Sequence, residues 1–208
     1  MSNKSKKEMT EAQREFIDKW LLILLASDNF NPIRGRVRLV KEFFLIWREC
    51  FYDLGNIAEF YSYFFGPYST LFAVRVNDMF YNDIIEFKES GLDILYKLSE
   101  TGRRQASQLM SQESENVIDF ITGIKRKFSK ISTGKVLGEI YGKYPDFANL
   151  SIVSEESELG GKIPKEISKI EIISDDPGFI KVTDNSDDFI ISKKFKSQFL
   201  QKIGNESK

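Results

Sequence analysis

The sequence contains no histidine and a single cysteine, Cys50, among its 208 residues. Histidine is the commonest general base at neutral pH, so its absence excludes Ser-His-Asp and Cys-His nucleophile arrangements and every metal site built on imidazole. A single cysteine excludes an intrachain disulfide and a thiolate zinc cluster. These absences favour binding over catalysis, and we expect no catalytic residues, no metal and no cofactor.

Long apolar runs are also missing. The longest covers residues 20–26, whereas a membrane-spanning helix needs about 20 apolar residues. Glu11, Glu15 and Asp18 stand where a signal peptide would carry a basic leader. The net charge of −1 and the pI of about 5.8 create no global attraction to nucleic acid or membrane. The sequence therefore predicts a cytoplasmic protein that does not contact a membrane.

Apolar residues at helical spacing dominate the first half of the chain. Thr10 and Gln13 have the spacing of a capping box and predict the start of a first helix. Residues 20–25 are apolar on every side of that helix, which is typical of a helix that is central or covered by a partner. Because a three-helix unit is small, this pattern predicts a homodimer.

The following segments alternate between helix and strand signals. A second helix is predicted over residues 36–52, with Cys50 in a packing role. The aromatic residues 60–65 predict a strand that stops at a Gly66-Pro67 turn, and Ser69 is the predicted N-cap of a third helix reaching about residue 87. A turn at 88–91 and a strand at 92–98 complete the element order expected of a winged helix.

The second half of the chain predicts further helices and then a change of composition. A long fourth helix from Thr101 fades at residues 111–116 and resumes through Phe128, and a fifth helix follows Ser132. Strands are predicted at 179–182 and 189–191, joined by a turn at 183–188, and a last helix carries Phe195, Phe199 and Ile203.

The predicted fold class is therefore mainly α. It has a flexible N-terminus at residues 1–9, a winged-helix-like domain with a small β wing at residues 10–145, and a small α+β extension at residues 146–208.

Basic residues are concentrated in the first 135 residues, which hold 20 basic and 18 acidic groups, against 10 and 13 in the remainder. Such groups can bind phosphates through ion pairing and counterion release. On the third helix, however, Arg75 is opposed by Asp78, Asp83 and Glu86, which disfavours insertion of that helix into the major groove. The candidate nucleic-acid-binding residues are Arg34, Arg36, Arg38, Lys41, Arg103, Arg104, Lys125, Arg126 and Lys127.

Two segments resemble catalytic motifs without meeting their requirements. Residues 132–135 read Ser-Thr-Gly-Lys, but a phosphate-binding loop needs glycine at Ser129 and a hydroxyl residue at Val136. Glu86 and Lys88 have the Glu-x-Lys spacing of metal-dependent nucleases, with Asp78 or Asp83 as a further ligand. That chemistry needs a strand, and the periodicity here predicts a helix, in which the two side chains diverge.

Aromatic side chains are the candidate anchors for a protein partner, because large aromatic groups dominate interface energetics. Part of the segment at residues 60–68 must face the core if it forms a strand. The candidates for partner contact are Trp20, Tyr61, Tyr63 and Tyr68.

Several short motifs together resemble the YwgA-like proteins of bacteria and archaea and, more distantly, the Panacea domain of SocA-like antitoxins. They span residues 15–151 and comprise Gly35-Arg36 with Leu39, Lys41 and Phe44-Leu45, then Phe64-Phe65-Gly66-Pro67-Tyr68-Ser69, Tyr96-Lys97-Leu98-Ser99, Thr101-Gly102-Arg103, and Tyr144-Pro145.

The resemblance implies a winged-helix-like scaffold and, from the Panacea side, neutralisation of a toxin by protein contact. Gly66, Pro67 and Ser69 would then have a structural role, as a rigid turn and a helix cap. We therefore expect a non-enzymatic protein that binds another protein as an antitoxin-like or adaptor component. The alternative is a winged-helix transcriptional regulator that binds DNA through the second helix and the wing, and a metal-dependent nuclease comes third.

Overall fold

The computed structural model describes residues 8–63, 65–90 and 93–147, together with the backbone of three later strands. The helices are α1 (Glu11–Ala26), α2 (Arg36–Cys50), α3 (Thr70–Tyr81), α4 (Glu100–Met110), α5 (Glu115–Ser129) and α6 (Thr133–Lys143), with 3-10 helices at Tyr52–Leu54 and Pro145–Phe147. The strands are β1 (Ile33–Arg34), β2 (Tyr61–Tyr63), β3 (Gly66–Tyr68), β4 (Ile85–Ser90), β5 (Asp93–Leu98), β6 (Lys169–Ile172), β7 (Phe179–Asp184) and β8 (Asp187–Ser192). The described part is mainly helical, as predicted.

Helix α1 is the centre of the core. The predicted capping box is present, because Thr10 and Gln13 exchange hydrogen bonds between side chain and backbone. Residues 20–25 are between 0 and 5% exposed, and α2, α3, α4, α5 and β5 of the same chain pack around them. The reason for expecting a homodimer, an uncovered first helix, therefore does not hold.

A three-stranded antiparallel sheet packs beside the helices in the order β1-β5-β4. Ile33 of β1 pairs with Tyr96 of β5, and Ile85 of β4 pairs with Leu98. Strand β1 was not predicted from the sequence, because two residues give no measurable periodicity.

Strand β4 corrects the predicted length of the third helix. The helix was expected to reach residue 87, but α3 ends at Tyr81 and Asp83 has a φ of 54° at the corner before β4. Ile85 and Phe87 fit both an extension of the helical face and one face of a strand, so the pattern there is ambiguous. Residues 88–90, predicted as a turn, also lie on β4.

The aromatic segment forms a hairpin rather than one strand. Tyr61 pairs with Tyr68, and Tyr63 pairs with Gly66, so Gly66 and Pro67 belong to β3 instead of ending the strand. The predicted turn at Gly66-Pro67 is therefore displaced toward the preceding residues. Ser69 is the predicted N-cap, since its hydroxyl accepts a hydrogen bond from the Phe72 amide at 3.0 Å.

The predicted fourth helix is two helices, α4 and α5, separated at residues 111–114. Helix α5 turns one apolar face to the core: Ile121 and Phe128 are buried, and Val117 and Ile124 pack against the core. Helix α6 begins after Ser132, whose hydroxyl accepts from the Lys135 amide, as the sequence indicates.

The three later strands form an antiparallel sheet in the order β6-β7-β8. The predicted strands at 179–182 and 189–191 are present as parts of β7 and β8, although Thr183, Asp184, Asp187 and Asp188 lie on strands rather than in the turn. The predicted helix with Phe195, Phe199 and Ile203 lies outside the described residues, as do residues 1–7. In the described part of the chain, no helix combines the length and apolar character that crossing a bilayer requires.

Candidate functional site

Lys41 is buried and joins two of the motifs quoted above. It is 2% exposed, and its Nζ donates a hydrogen bond to the Pro67 carbonyl oxygen at 2.7 Å. Burial lowers the pKa of Lys41 well below its usual value. Ser69, two residues after Pro67, donates to the Ala58 carbonyl. Lys41 therefore fixes the hairpin against α2 and is not available to a phosphate, contrary to the expectation for it.

Two motif glycines are required by close approach of neighbouring groups. A Cβ atom at Gly66, where φ is 77°, would lie 2.5 Å from Cε1 of Tyr141. A Cβ atom at Gly102 would lie 2.2 Å from the Ile84 carbonyl oxygen. Together with Lys41, these contacts give the motif residues a role in packing hairpin, sheet and helices together.

A second buried cation closes the C-terminal end of α1. Lys125 on α5 is 2% exposed, and its Nζ donates to the carbonyl oxygens of Leu24 at 3.1 Å, Leu25 at 2.8 Å and Ser27 at 2.9 Å. The last carbonyls of a helix have no partner within the helix, so Lys125 acts as its cap. Burial lowers the pKa of Lys125 to about 8, partly offset by attraction to Glu42 and Asp28.

Glu42 is the carboxyl group of this buried cluster. It is 1% exposed, and burial raises its pKa to about 8 against the opposing attraction of Lys125 and Arg38. Glu42 Oε2 and Arg38 Nε have no hydrogen-bond partner in the described part of the chain. Sequence reasoning missed this cluster, although a glutamate between Lys41 and Phe43 on an apolar helix face is a visible signal.

Most of the remaining basic candidates are occupied by contacts within the chain. Arg36 is 9% and Arg38 is 8% exposed, and Arg38 Nη2 donates to the Ile131 carbonyl at 2.8 Å. Arg126 pairs with Asp28 at 2.6 Å, and Lys127 pairs with Glu139 at 2.5 Å. The expected basic surface on α2 and α5 is therefore corrected: it consists largely of buried or paired side chains.

Among the candidate cations outside the ion pairs just described, Arg34, Arg103 and Arg104 have exposed side chains. The guanidinium of Arg103 lies over the Phe30 ring, 5.0 Å from its centroid. Because Arg34 is on β1 and the other two are on α4, the structure does not gather them with the α2 candidates into one basic helix face.

Arg75 is the one basic residue of α3, and it is neutralised. Its Nε and Nη2 each donate to Asp18 at 2.7 Å, and its Nη1 donates to Asp78 at 2.6 Å. These hydrogen bonds, first those with Asp18, raise the pKa of Arg75. The exposed side of α3 therefore offers no free cation to a phosphate backbone, in agreement with the charge pattern of the sequence.

The Glu-x-Lys segment is on a strand, which corrects the reason for discounting it. Glu86 and Lys88 lie on β4 and share a face, and Glu86 forms an ion pair with Lys97. The described residues contain no group of three or more His, Cys, Asp or Glu side chains placed to hold a metal ion. Burial, reinforced by Glu49, raises the pKa of Cys50 to about 11, which suits its predicted packing role.

The aromatic candidates for partner contact separate into a core residue and a cluster. Trp20 is 4% exposed and packs on the Phe51 ring at 4.2 Å, so no partner can contact it in this fold. The rings of Tyr61, Tyr63 and Tyr68 come together on the hairpin, with centroids 5.2–5.9 Å apart. Tyr61 is the most exposed of them at 41%.

The hairpin continues into an exposed apolar surface on α3. The Tyr61 hydroxyl lies 3.0 Å from the Thr70 hydroxyl at the start of the helix. Phe80 is 40% exposed, and its ring stacks on Phe87 of β4 at 4.3 Å. We name this surface the α3 face; it consists of Tyr61, Val74, Phe80 and Tyr81, with exposed fractions of 41, 45, 40 and 74%.

No protein-family model, no curated protein and no solved structure matches the sequence or fold of this chain.

Proposed function

We propose that this chain is a non-enzymatic, winged-helix-like binding protein that acts as an adaptor or antitoxin-like component, and that the α3 face is its protein-binding surface. The carrying observation is the α3 face itself. Four of the seven large apolar side chains that are exposed in the described part of the chain lie on α3 or on the hairpin that contacts its first residue, and the rings of Phe80 and Tyr81 lie 5.6 Å apart. A concentration of exposed apolar groups marks interaction sites.

The element order supports a winged-helix-like scaffold. Helix α1, strand β1, helices α2 and α3, and the β4-β5 hairpin follow one another, and β1 pairs with β5 at the sheet edge opposite β4. In such a scaffold α3 occupies the place of the helix that enters the major groove in DNA-binding relatives. Here that helix presents Val74 and Tyr81 outward and holds Arg75 in ion pairs, which suits a protein partner better than a phosphate backbone.

A photo-crosslinking amino acid placed at Val74 in the native cell tests the proposal. We expect one discrete adduct with a second protein, identified by mass spectrometry. With that partner purified, Tyr81→Ala is expected to weaken binding by about 30-fold, as for an interface hot spot worth about 2 kcal/mol. Because Tyr81 is 74% exposed, the same substitution should change the free energy of unfolding by only about 0.5 kcal/mol or less.

Tyr52 supplies the matched control. It is 56% exposed in the 3-10 helix after α2, so the crosslinker at Tyr52 should give no adduct, and Tyr52→Ala should leave the affinity within about threefold. Equal adduct formation at Val74 and Tyr52, or unchanged affinity of Tyr81→Ala, contradicts the proposal.

A DNA-binding regulator remains the second candidate because of the β4-β5 hairpin, which carries the exposed Lys88 in the position of a wing. Its expected route through α2 is not available, since Arg36, Arg38 and Lys41 are buried. DNA binding would therefore depend on Lys88, Arg103 and Arg104. A gel shift at low salt that disappears in the triple alanine variant would favour this candidate over the protein-binding one.

A further inference from the structure

Carboxylates surround the α3 face. Asp78 lies on α3, Asp83 follows its last turn, and Glu89 lies on β4, on the same strand face as Phe87, whose ring stacks on Phe80. With Asp18, which binds Arg75, there are four carboxylates in this region. Arg75 is the cation among them, and it is held in ion pairs with Asp18 and Asp78. The α3 face is thus apolar at its centre and acidic at its border.

One segment of the same chain has the complementary composition. Residues 193–203 read Lys-Lys-Phe-Lys-Ser-Gln-Phe-Leu-Gln-Lys-Ile and contain four lysines and no acidic residue. Phe195, Phe199 and Ile203 recur at every fourth position, the spacing that places side chains on one helix face. This is the composition of a basic amphipathic segment, which fits an apolar surface bordered by carboxylates.

We propose that the basic segment at residues 193–203 docks on the α3 face of its own chain. Its phenylalanines would contact Val74, Phe80 and Tyr81, and its lysines would face the carboxylates around them. The inference rests on the proposed function, because the segment would occupy the same surface as the partner and would compete with it. The α3 face is then an intramolecular switch as well as a binding surface.

The chain is long enough for this contact. Phe147 ends the last described helical turn, and 45 residues lie between it and Lys193. An extended chain spans about 3.3 Å per residue, so even the 21 residues before β6 could reach about 70 Å. Because the effective concentration of a tethered segment is about millimolar, weak affinity is sufficient for docking.

Crosslinking of the purified full-length protein tests the contact directly. With the photo-crosslinking amino acid at Tyr81, we expect a product of monomer mass whose crosslinked peptide maps to residues 193–203. Glu substitutions at Lys193, Lys194, Lys196 and Lys202 should lower the yield at least fivefold. Raising the salt concentration should lower it in the unsubstituted tail, because the attraction between exposed charges is screened.

Two controls separate this contact from nonspecific charge effects. Glu substitutions at Lys4, Lys6 and Lys7 reverse charge at the other end of the chain and should leave the yield unchanged. The crosslinker at Tyr52, which is 56% exposed, should give no product with residues 193–203.

The other outcomes overturn the inference. A product of dimer mass identifies a second copy as the occupant, and a monomer product that maps elsewhere, or no product, shows that the segment does not dock there. None of these results affects the separate prediction that the crosslinker at Val74 gives an adduct with a partner protein in the cell. If the partner adduct also fails, the α3 face is not a binding surface at all.

Discussion

Glu42 illustrates how one buried residue couples this fold to pH. A carboxyl group that is 1% exposed and lacks a hydrogen bond at Oε2 is stable mainly in its protonated form. Folding therefore raises the pKa of Glu42 from 4.5 to about 8. The folded state then binds a proton that the unfolded state releases. Its contribution to stability is fully present below pH 4.5 and is lost as the pH rises through 8.

The substitution Glu42→Gln should remove this loss of stability. Glutamine keeps the size of the side chain and stays neutral at every pH. The variant and the wild type should have similar free energies of unfolding at pH 5, and the variant should gain on the order of 4 kcal/mol on the wild type by pH 9, because about three units of the pKa shift lie above pH 5 and each unit corresponds to about 1.4 kcal/mol. Urea denaturation at a series of pH values measures the difference.

Glu49→Gln is the control for the pH series. Glu49 lies on α2, as Glu42 does, but it is exposed and pairs with Lys143 of α6. Its substitution should change the free energy of unfolding by an amount that is constant between pH 5 and 9. Parallel curves for Glu42→Gln and wild type would contradict the account of Glu42.

The junction of α4 with the sheet depends on the absence of one methyl group. Gly102 lies in the first turn of α4, where an added Cβ would meet the Ile84 carbonyl oxygen at 2.2 Å and the Ile84 carbonyl carbon at 3.2 Å. The Ile84 backbone atoms, just before β4, cannot rotate away as a side chain can. Gly102→Ala should therefore lower the free energy of unfolding by about 2 kcal/mol or more through overpacking, measured by thermal or urea denaturation.

The substitution Gly123→Ala should have the opposite effect on the free energy of unfolding. Gly123 lies within α5, and an added Cβ would meet nothing within 4 Å. Gly123→Ala should therefore stabilise the protein by about 0.5 to 1 kcal/mol, the ordinary effect of replacing glycine in a helix. Equal effects of the two alanines would show that close packing at Gly102 is not what requires glycine.

For helices and strands, the sequence-based predictions that succeeded depend on local signals. Thr10, Ser69 and Ser132 cap their helices as the sequence indicates, because a cap needs only a hydroxyl and an amide a few residues apart. The predictions that failed involve long-range pairing. Strand β1 forms because Ile33 pairs with Tyr96 of β5. Strand β4 forms where the third helix was predicted to continue, because Ile85 pairs with Leu98 of β5.

The candidate site was predictable only in its exposed part. Tyr61, Tyr63 and Tyr68 share the hairpin because strand alternation brings them together, a rule that sequence provides. Lys41 and Lys125 bind carbonyl oxygens 26 and about 100 positions away in the sequence. Because those acceptors cannot be identified from the sequence, the clustering of basic residues predicted a solvated basic surface instead. A lysine on an apolar helix face indicates burial only when its distant acceptor is known.

Lys125 connects parts of the molecule that are far apart in sequence. Its Nζ donates hydrogen bonds to three carbonyl oxygens at the end of α1. Lys125 is also the cation whose charge lowers the pKa of Glu42 most. Lys125→Met leaves those three carbonyl oxygens without their donor. We expect a loss of about 3 kcal/mol in the free energy of unfolding at pH 7, typical for removal of one member of a buried polar set.

Lys130→Met is the matched control, because Lys130 is exposed at the end of the same helix. It should change the free energy of unfolding by about 0.5 kcal/mol or less. In a double-mutant cycle near pH 8, where Glu42 ionises, Lys125→Met and Glu42→Gln should be non-additive, since the two charged side chains attract each other. Additive losses, or a stable Lys125→Met variant, would contradict the proposed connection.

The capping of α1 by Lys125 also has a consequence for synthesis of the protein. The chain makes its most apolar helix first, yet α4 and α5, which cover and cap that helix, come about 100 residues later. At about 5 to 20 residues per second, the ribosome needs about 5 to 20 s to supply them. During that time residues 20–26 lack the cover that α4 and α5 provide, and we expect chaperones at the ribosome to bind them on the nascent chain.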